Sequence, residues 1–331
     1  MSGPISALNK GIRFESSVGN TTNKRLETLT LSGVPFASGD LLDTPAGAVV
    51  LTLNPDKQSA AKTLTVLEGK YIDIAMEFDG AGQFRYTEFP ALYLAERAGH
   101  EINYITDLDL DSDPTALRGT KSIVVGGRSE YWTERMRGAM NTSVDRGINL
   151  VSLGANTGLN KVTYDPETRT ISDVVKWRDP TVRKAESYLL GAQFFAYGVK
   201  SNYTVKNAAQ WPFDVLRQGE RISGVVGPAV GAPSKNGKRV GVEILAQSAP
   251  VGELKTPAVA TYYTRSSGAG ILNIGTSSWV CAIDNKCPGG NTFSITTRRQ
   301  VVAVTGAIFE GITRGPLGKW RPATIDIPAQ P

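Results

Sequence analysis

Arg128, Glu130, Tyr131 and Trp132 stand together in the stretch IVVGGRSEYWTERM (residues 123–136), where an apolar run passes into a helical pattern. A cation, a carboxylate and a phenol so close together can bind an anion, move a proton or hold a metal ion. A plain connecting turn needs only small polar residues, so bulky functional side chains at this junction mark a candidate site. Two other loops carry polar groups in a similar setting: DLDLDSD (107–113) offers Asp107 and Asp109, and GANTG (154–158) offers Asn156. Each group also has a plainer reading. Trp132 can pack at the helix start, Arg128 and Glu130 can pair with loop charges such as Asp107 or Asp109, and Asn156 can brace a neighbouring loop.

Several chemistries are excluded by what the chain lacks. His100 is the only histidine, so no centre built on two or three imidazoles forms within one chain, and a histidine-dependent triad would have to recruit it. Its position after Gly99 suits a helix cap or a solvent-facing group. Neither GAG segment (80–82, 268–270) has the strand–turn–helix context of a dinucleotide site. There is no Gly-x-Ser-x-Gly elbow and no phosphate-binding Gly-Lys-Ser/Thr. The acidic run from Asp107 has neither the sixth-position glycine nor the closing glutamate of a calcium loop. Cys281 and Cys287 have no nearby histidines to complete a zinc site. They read as a local disulfide, which favours an oxidising compartment, or as two free thiols.

The elements that must position these loops follow from periodicity. Phe89, Leu92, Tyr93 and Glu96 keep helical spacing, with Pro90 in the first turn and Gly99 at the stop. Residues 101–106 read as a strand, 107–113 as an acidic loop and 122–125 as the next strand. Trp132, Met136, Ala139, Met140 and Val144 mark one helical face, with Thr133 as N-cap and Gly147 as stop. Residues 149–153 form a further strand. This alternation predicts an α/β domain with a doubly wound, mostly parallel sheet, whose ligands sit outside the carboxyl ends of the strands. The loops at 107–113, 126–132 and 154–160 lie there. Residues 169–176, 187–196, 240–245, 259–264 and 270–274 read as extended, and Val301, Val304, Thr305, Ile308 and Ile312 restore a helix. Residues 1–75 form a β-rich N-terminal segment, ahead of a domain spanning 76–331. In 331 residues, 36 basic and 31 acidic side chains leave a net charge of +5, scattered along the chain. That pattern reads as a mixed solvated surface and not as a nucleic-acid footprint. No apolar run is long enough to span a membrane. Homo-oligomerisation stays open.

The ordered set DGAGQF (79–84), YITDLDL (104–110), GGRSEYW (126–132), GANTG (154–158), WRDP (177–180), Glu186, LLG (189–191) and GAG (268–270) through WVC (279–281) resembles a known family. It is similar to the C-terminal region of the N,N-dimethylformamidase large (beta) subunit family, in its secreted, uncharacterised bacterial branch, over residues 79–320. The resemblance implies a class I glutamine-amidotransferase-like fold. It also implies a mononuclear iron held by two tyrosines and a glutamate, hydrolysing a small amide. Tyr131 falls on the Glu-Tyr motif that supplies one tyrosine. Phe89 falls near the other, flanked by Tyr86 and Tyr93, and Glu186 stands as the candidate glutamate. Arg128 occupies the place where the family usually has histidine. Two function classes follow. In the first, an iron-dependent amide hydrolase uses Tyr131 as ligand and Arg128 or Asn156 to stabilise the oxyanion. In the second, a non-catalytic extracellular or envelope protein binds a partner or self-assembles on the same scaffold. A secreted or envelope location is expected, with the cytoplasm as the alternative.

Overall fold

The computed structural model describes residues 28–31, 34–37, 82–113, 115–127, 129–168, 170–234, 241–287 and 291–326. Arg128 lies outside them, as does most of the expected β-rich segment 1–75. The chain divides into two units, Met1–Arg85 with Pro166–Thr170, and Tyr86–Asp165 with Ile171–Pro331. In the first unit, β1 (Thr28–Leu31) and β2 (Val34–Ala37) form an antiparallel hairpin, with Leu31 opposite Val34.

The second unit is built on a mixed seven-stranded sheet. Its strands in chain order are β3 (Ser122–Val125), β5 (Asn149–Ser152), β9 (Ser201–Val205), β10 (Arg221–Val226), β12 (Glu243–Val251), β13 (Thr256–Thr264) and β14 (Gly270–Asn273). They lie side by side as β10-β9-β12-β13-β14-β5-β3. Only β14, β5 and β3 run parallel; the other four pairings are antiparallel. The expectation of a mostly parallel sheet is corrected here, and connection length gives the reason. Four residues join β12 to β13 and five join β13 to β14, whereas a parallel crossover needs a dozen or more. A smaller sheet joins β4 (Tyr131–Trp132), β6 (Asn160–Asp165) and β7 (Thr170–Lys176), and β8 (Gln193–Ala196) pairs with β11 (Val230–Ala232).

Helices cover both faces of the large sheet. The short α1 (Gly82–Thr87) leads into α2 (Phe89–Arg97), and α3 (Asp107–Ser112) precedes β3. α4 (Glu134–Asp145) starts at Thr133, whose hydroxyl accepts from Met136 N. Its Met136, Ala139, Met140 and Val144 pack with Trp132, Leu150 and Ile271, as the helical spacing requires. On the other face, Val301, Val304, Ile308 and Ile312 of α7 (Ile295–Ile312) meet Val151, Leu153 and Leu272. Leu150 and Val151 thus point to opposite cores, and β5 is buried at all four positions.

α2 buries Pro90, Ala91 and Ala95 and leaves Phe89 and Tyr93 exposed, their rings 6.0 Å apart. The alanines let the helix lie close to α7 and the sheet, which a phenyl ring would prevent. Residues 101–105 form no strand and lead into α3. That acidic stretch is helical because Thr106 and Asp109 make a capping box, each side chain accepting from the other's backbone N–H. Residues 187–196 split into α5 (Ser187–Leu190) and β8 at Gly191, whose φ is +73°. Cys281 and Cys287 are joined as a disulfide around α6 (Cys281–Asp284). No helix among the described residues is long and apolar enough to cross a membrane.

Candidate functional site

The carboxyl ends of β3 and β5 are drawn together with the start of α2 by glycines. Gly127 N donates to Thr87 O at 2.8 Å. A Cβ on Gly154 would stand 2.3 Å from the Gly127 carbonyl oxygen, and one on Gly126 would stand 2.3 Å from Glu88 Cγ. Only glycine permits these approaches. They lay the Glu88 side chain across the end of β3. Glu88 holds the N-cap position of α2 yet makes no capping hydrogen bond.

Asp107 opens α3, and its Oδ1 accepts from Ser129 Oγ at 3.2 Å. Ser129 Oγ in turn accepts from Trp132 Nε1 at 2.7 Å. Asp107 keeps an exposed side chain at the start of α3. Loss of water pushes its pKa above the usual aspartate range, against the hydrogen bond from Ser129. Burial likewise raises Glu88, and the negative charge of Asp107 raises it further. The two carboxyl groups are therefore within electrostatic reach of each other, and both resist ionisation.

Beside them, Asn156 Nδ2 donates to Glu130 Oε1 at 2.8 Å. Asn156 is buried, and its Oδ1 has no hydrogen-bond partner among the described residues. The loop between β3 and β4 is fixed to the next one by Gly158 N donating to Ser129 O and Asn160 N to Glu130 O, both at 2.8 Å. The structure thus gathers Asp107, Glu130, Trp132 and Asn156 around Ser129. Trp132 is 1% exposed and packs on Gly158, where a Cβ would lie 2.9 Å from the indole. Tyr131 points the other way on the same short strand and is 47% exposed; its hydroxyl makes no hydrogen bond with the described residues. Asp109 is spent on the cap of α3, where bonds from Thr106 hold its carboxyl below the usual range.

Sequence reasoning passed over Glu88 and Ser129. Ser129 lies inside the stretch first singled out, between two more conspicuous charges. Glu88 carried a readable sign, a glutamate standing where helices prefer Ser, Thr, Asp or Asn. Its neighbour Gly126 comes near only through the fold.

This arrangement offers two carboxyl groups of raised pKa, a hydroxyl held by a carboxylate, and a buried amide oxygen. Such groups move protons and orient a polar substrate. A family model described as N,N-dimethylformamidase beta subunit-like, C-terminal, matches residues 50–289. The chain belongs to that family. No curated protein matches it.

The iron centre implied by the N,N-dimethylformamidase resemblance can be set against these residues. Phe89, near the place of the second tyrosine, offers no oxygen. Glu186 is buried and gives Oε1 to Arg178 at 2.8 Å; burial raises its pKa, and Arg178 and Arg137 oppose the rise. Two guanidinium groups make a poor setting for a trivalent cation. Among the described residues, no group of three or more His, Cys, Asp or Glu is placed to hold a metal ion. Phe89 and Glu186, as they stand, do not supply the second tyrosine and the glutamate of that set.

Proposed function

We propose that this N,N-dimethylformamidase-like chain hydrolyses the C–N bond of a small amide, with Glu88 and Asp107 as the acid–base pair. The observation that carries the reading is the pairing of these two carboxyl groups, both raised, at the joined ends of β3 and β5. Glu88, raised by burial and by the charge of Asp107, keeps its proton to higher pH than a free glutamate, so it serves as the acid and Asp107 as the base. Asp107 takes a proton from water as the oxygen bonds to the amide carbon. Glu88 gives its proton to the nitrogen as the C–N bond breaks. A carboxylic acid and an amine leave, and the proton returns from Asp107 to Glu88. Ser129 orients the Asp107 carboxyl, and the unpartnered Asn156 Oδ1 accepts a hydrogen bond from the substrate or the attacking water.

The parallel trio β14-β5-β3, with α4 and α7 on opposite faces, supports a glutamine-amidotransferase-like, doubly wound ancestry for this half of the sheet. The disulfide supports a secreted or envelope location. A second reading, a non-catalytic binding protein on the same scaffold, is favoured by the poor fit of the iron donor set. Release of dimethylamine from N,N-dimethylformamide and of ammonia from acetamide separates the two. Turnover that falls at least a hundredfold in Asp107→Asn and in Glu88→Gln, with the fold kept, supports the acid–base pair. Turnover that follows iron content and ignores both variants returns the chemistry to a metal. No turnover by the wild type supports the binding protein.

A further inference from the structure

A cavity of about 550 Å³ lies between α2, the segment 100–105, β3 and α7. That volume is within the range of small-molecule sites, and close-packed interiors leave few voids larger than a water molecule. Its lining is mixed: Ala91 and Ala95 of α2, Leu153, and Phe309 and Ile312 of α7 give an apolar stretch, and polar groups such as His100, Glu101 and Lys121 stand at its margin. It is also long. Its lining follows the edge strand from Lys121 to Gly126, about 16 Å at roughly 3.3 Å per residue. At the Gly126 end it reaches Glu88, the group proposed to protonate the leaving nitrogen. The same small residues that turned Phe89 and Tyr93 outward on α2 keep this space open.

We infer that the cavity receives an unbranched apolar chain on the amide substrate, so that this chain acts on medium-chain aliphatic amides. The inference rests on the reaction proposed above and adds its substrate class. The head of the ligand must be neutral. Beside Glu88 and Asp107 a carboxylate would meet repulsion, whereas an amide carries no charge and can accept a proton on nitrogen. The same repulsion drives out the carboxylate product after turnover.

The test is titration calorimetry with straight-chain primary amides from acetamide to octanamide, alongside ammonia release from each. In the wild type, affinity rises about three- to fourfold per added methylene, the yield of burying one such group. Ala91→Leu and Ala95→Leu shorten the cavity, so octanamide binds at least tenfold more weakly and the affinity gain per methylene is lost. Circular dichroism checks that each variant folds. Ile102→Glu, at a half-buried position of the lining, serves if both alanine variants fail to fold, and predicts the same loss for octanamide. An affinity that is flat with chain length, or a chain-length series untouched by the folded variants, overturns the inference. Short amides hydrolysed with a flat series would leave the chemistry standing and remove the cavity assignment. A rising series with no ammonia released would keep the cavity and remove the chemistry.

Discussion

Gly126→Ala perturbs the site by one methyl group, and the structure sets the size of the effect. The new Cβ would lie 2.3 Å from Glu88 Cγ and 2.9 Å from its Cδ. Ordinary carbon contacts begin at about 3.5 Å, so Glu88 must move by about 1 Å or more. The backbone of Gly126 does not have positive φ, so alanine is not strained there and the effect falls on Glu88. Overpacking of this kind costs about 1–3 kcal/mol, which for a domain of this size lowers Tm by about 2–10 °C. A catalytic group displaced by 1 Å loses about a hundredfold in rate. Gly138→Ala is the control. Gly138 sits within α4 with nothing within 4 Å of an added Cβ, and alanine should gain about 0.5–1 kcal/mol of stability there with turnover unchanged. The assay is thermal unfolding by circular dichroism together with amine release. Full activity in Gly126→Ala would refute the placement of Glu88 in the reaction. Equal loss of activity in Gly138→Ala would show that the assay reads stability alone.

Glu243 and Arg321 form a fully buried ion pair at 2.7 Å, with Asn207 donating to Glu243 at 2.6 Å and Tyr262 stacked against the guanidinium. Arg321→Met should lower stability by about 3–5 kcal/mol because it strands a buried carboxylate, and Arg321→Met with Glu243→Met should recover much of that, read by urea unfolding. Glu88 titrates higher in the folded chain than in the unfolded one. Its favourable contribution is therefore complete below the ordinary glutamate range and lost as pH rises through the raised value. Glu88→Gln should accordingly gain stability relative to wild type as pH rises through that window, and a gap constant with pH would contradict the burial of this carboxyl.

The helix from Glu134 to Asp145 was legible in full, because its cap, its apolar stripe and its stop at Gly147 are all local. Of the helix from Ile295 to Ile312 only the apolar stripe from Val301 to Ile312 was read; its N-cap, Ser294, was not. The direction of the strands was not, since period-two alternation reads the same in parallel and antiparallel sheets. The brief connections at 252–255 and 265–269 held that information. The helical spacing of α2 was legible, but not which of its faces is buried, because the two alanines that decide the packing carry little signal. At the site, Asp107, Glu130, Trp132 and Asn156 could be drawn from the loops at the strand ends. Glu88 could not, because its role depends on the approach of Gly126, which lies distant in sequence. Tyr131 drew attention by its chemistry, yet its orientation depends on which side of a two-residue strand faces the core, and Trp132 takes that side.

The pairing of Glu88 with Asp107 is tested most directly by carbon-13 NMR of the carboxyl groups. In the wild type, Glu88 should titrate above the ordinary glutamate range, and Asp107→Asn should bring its midpoint down by removing the neighbouring charge. A midpoint for Glu88 within the ordinary range, or one that stays in place when Asp107 is replaced, would contradict the acid–base pair.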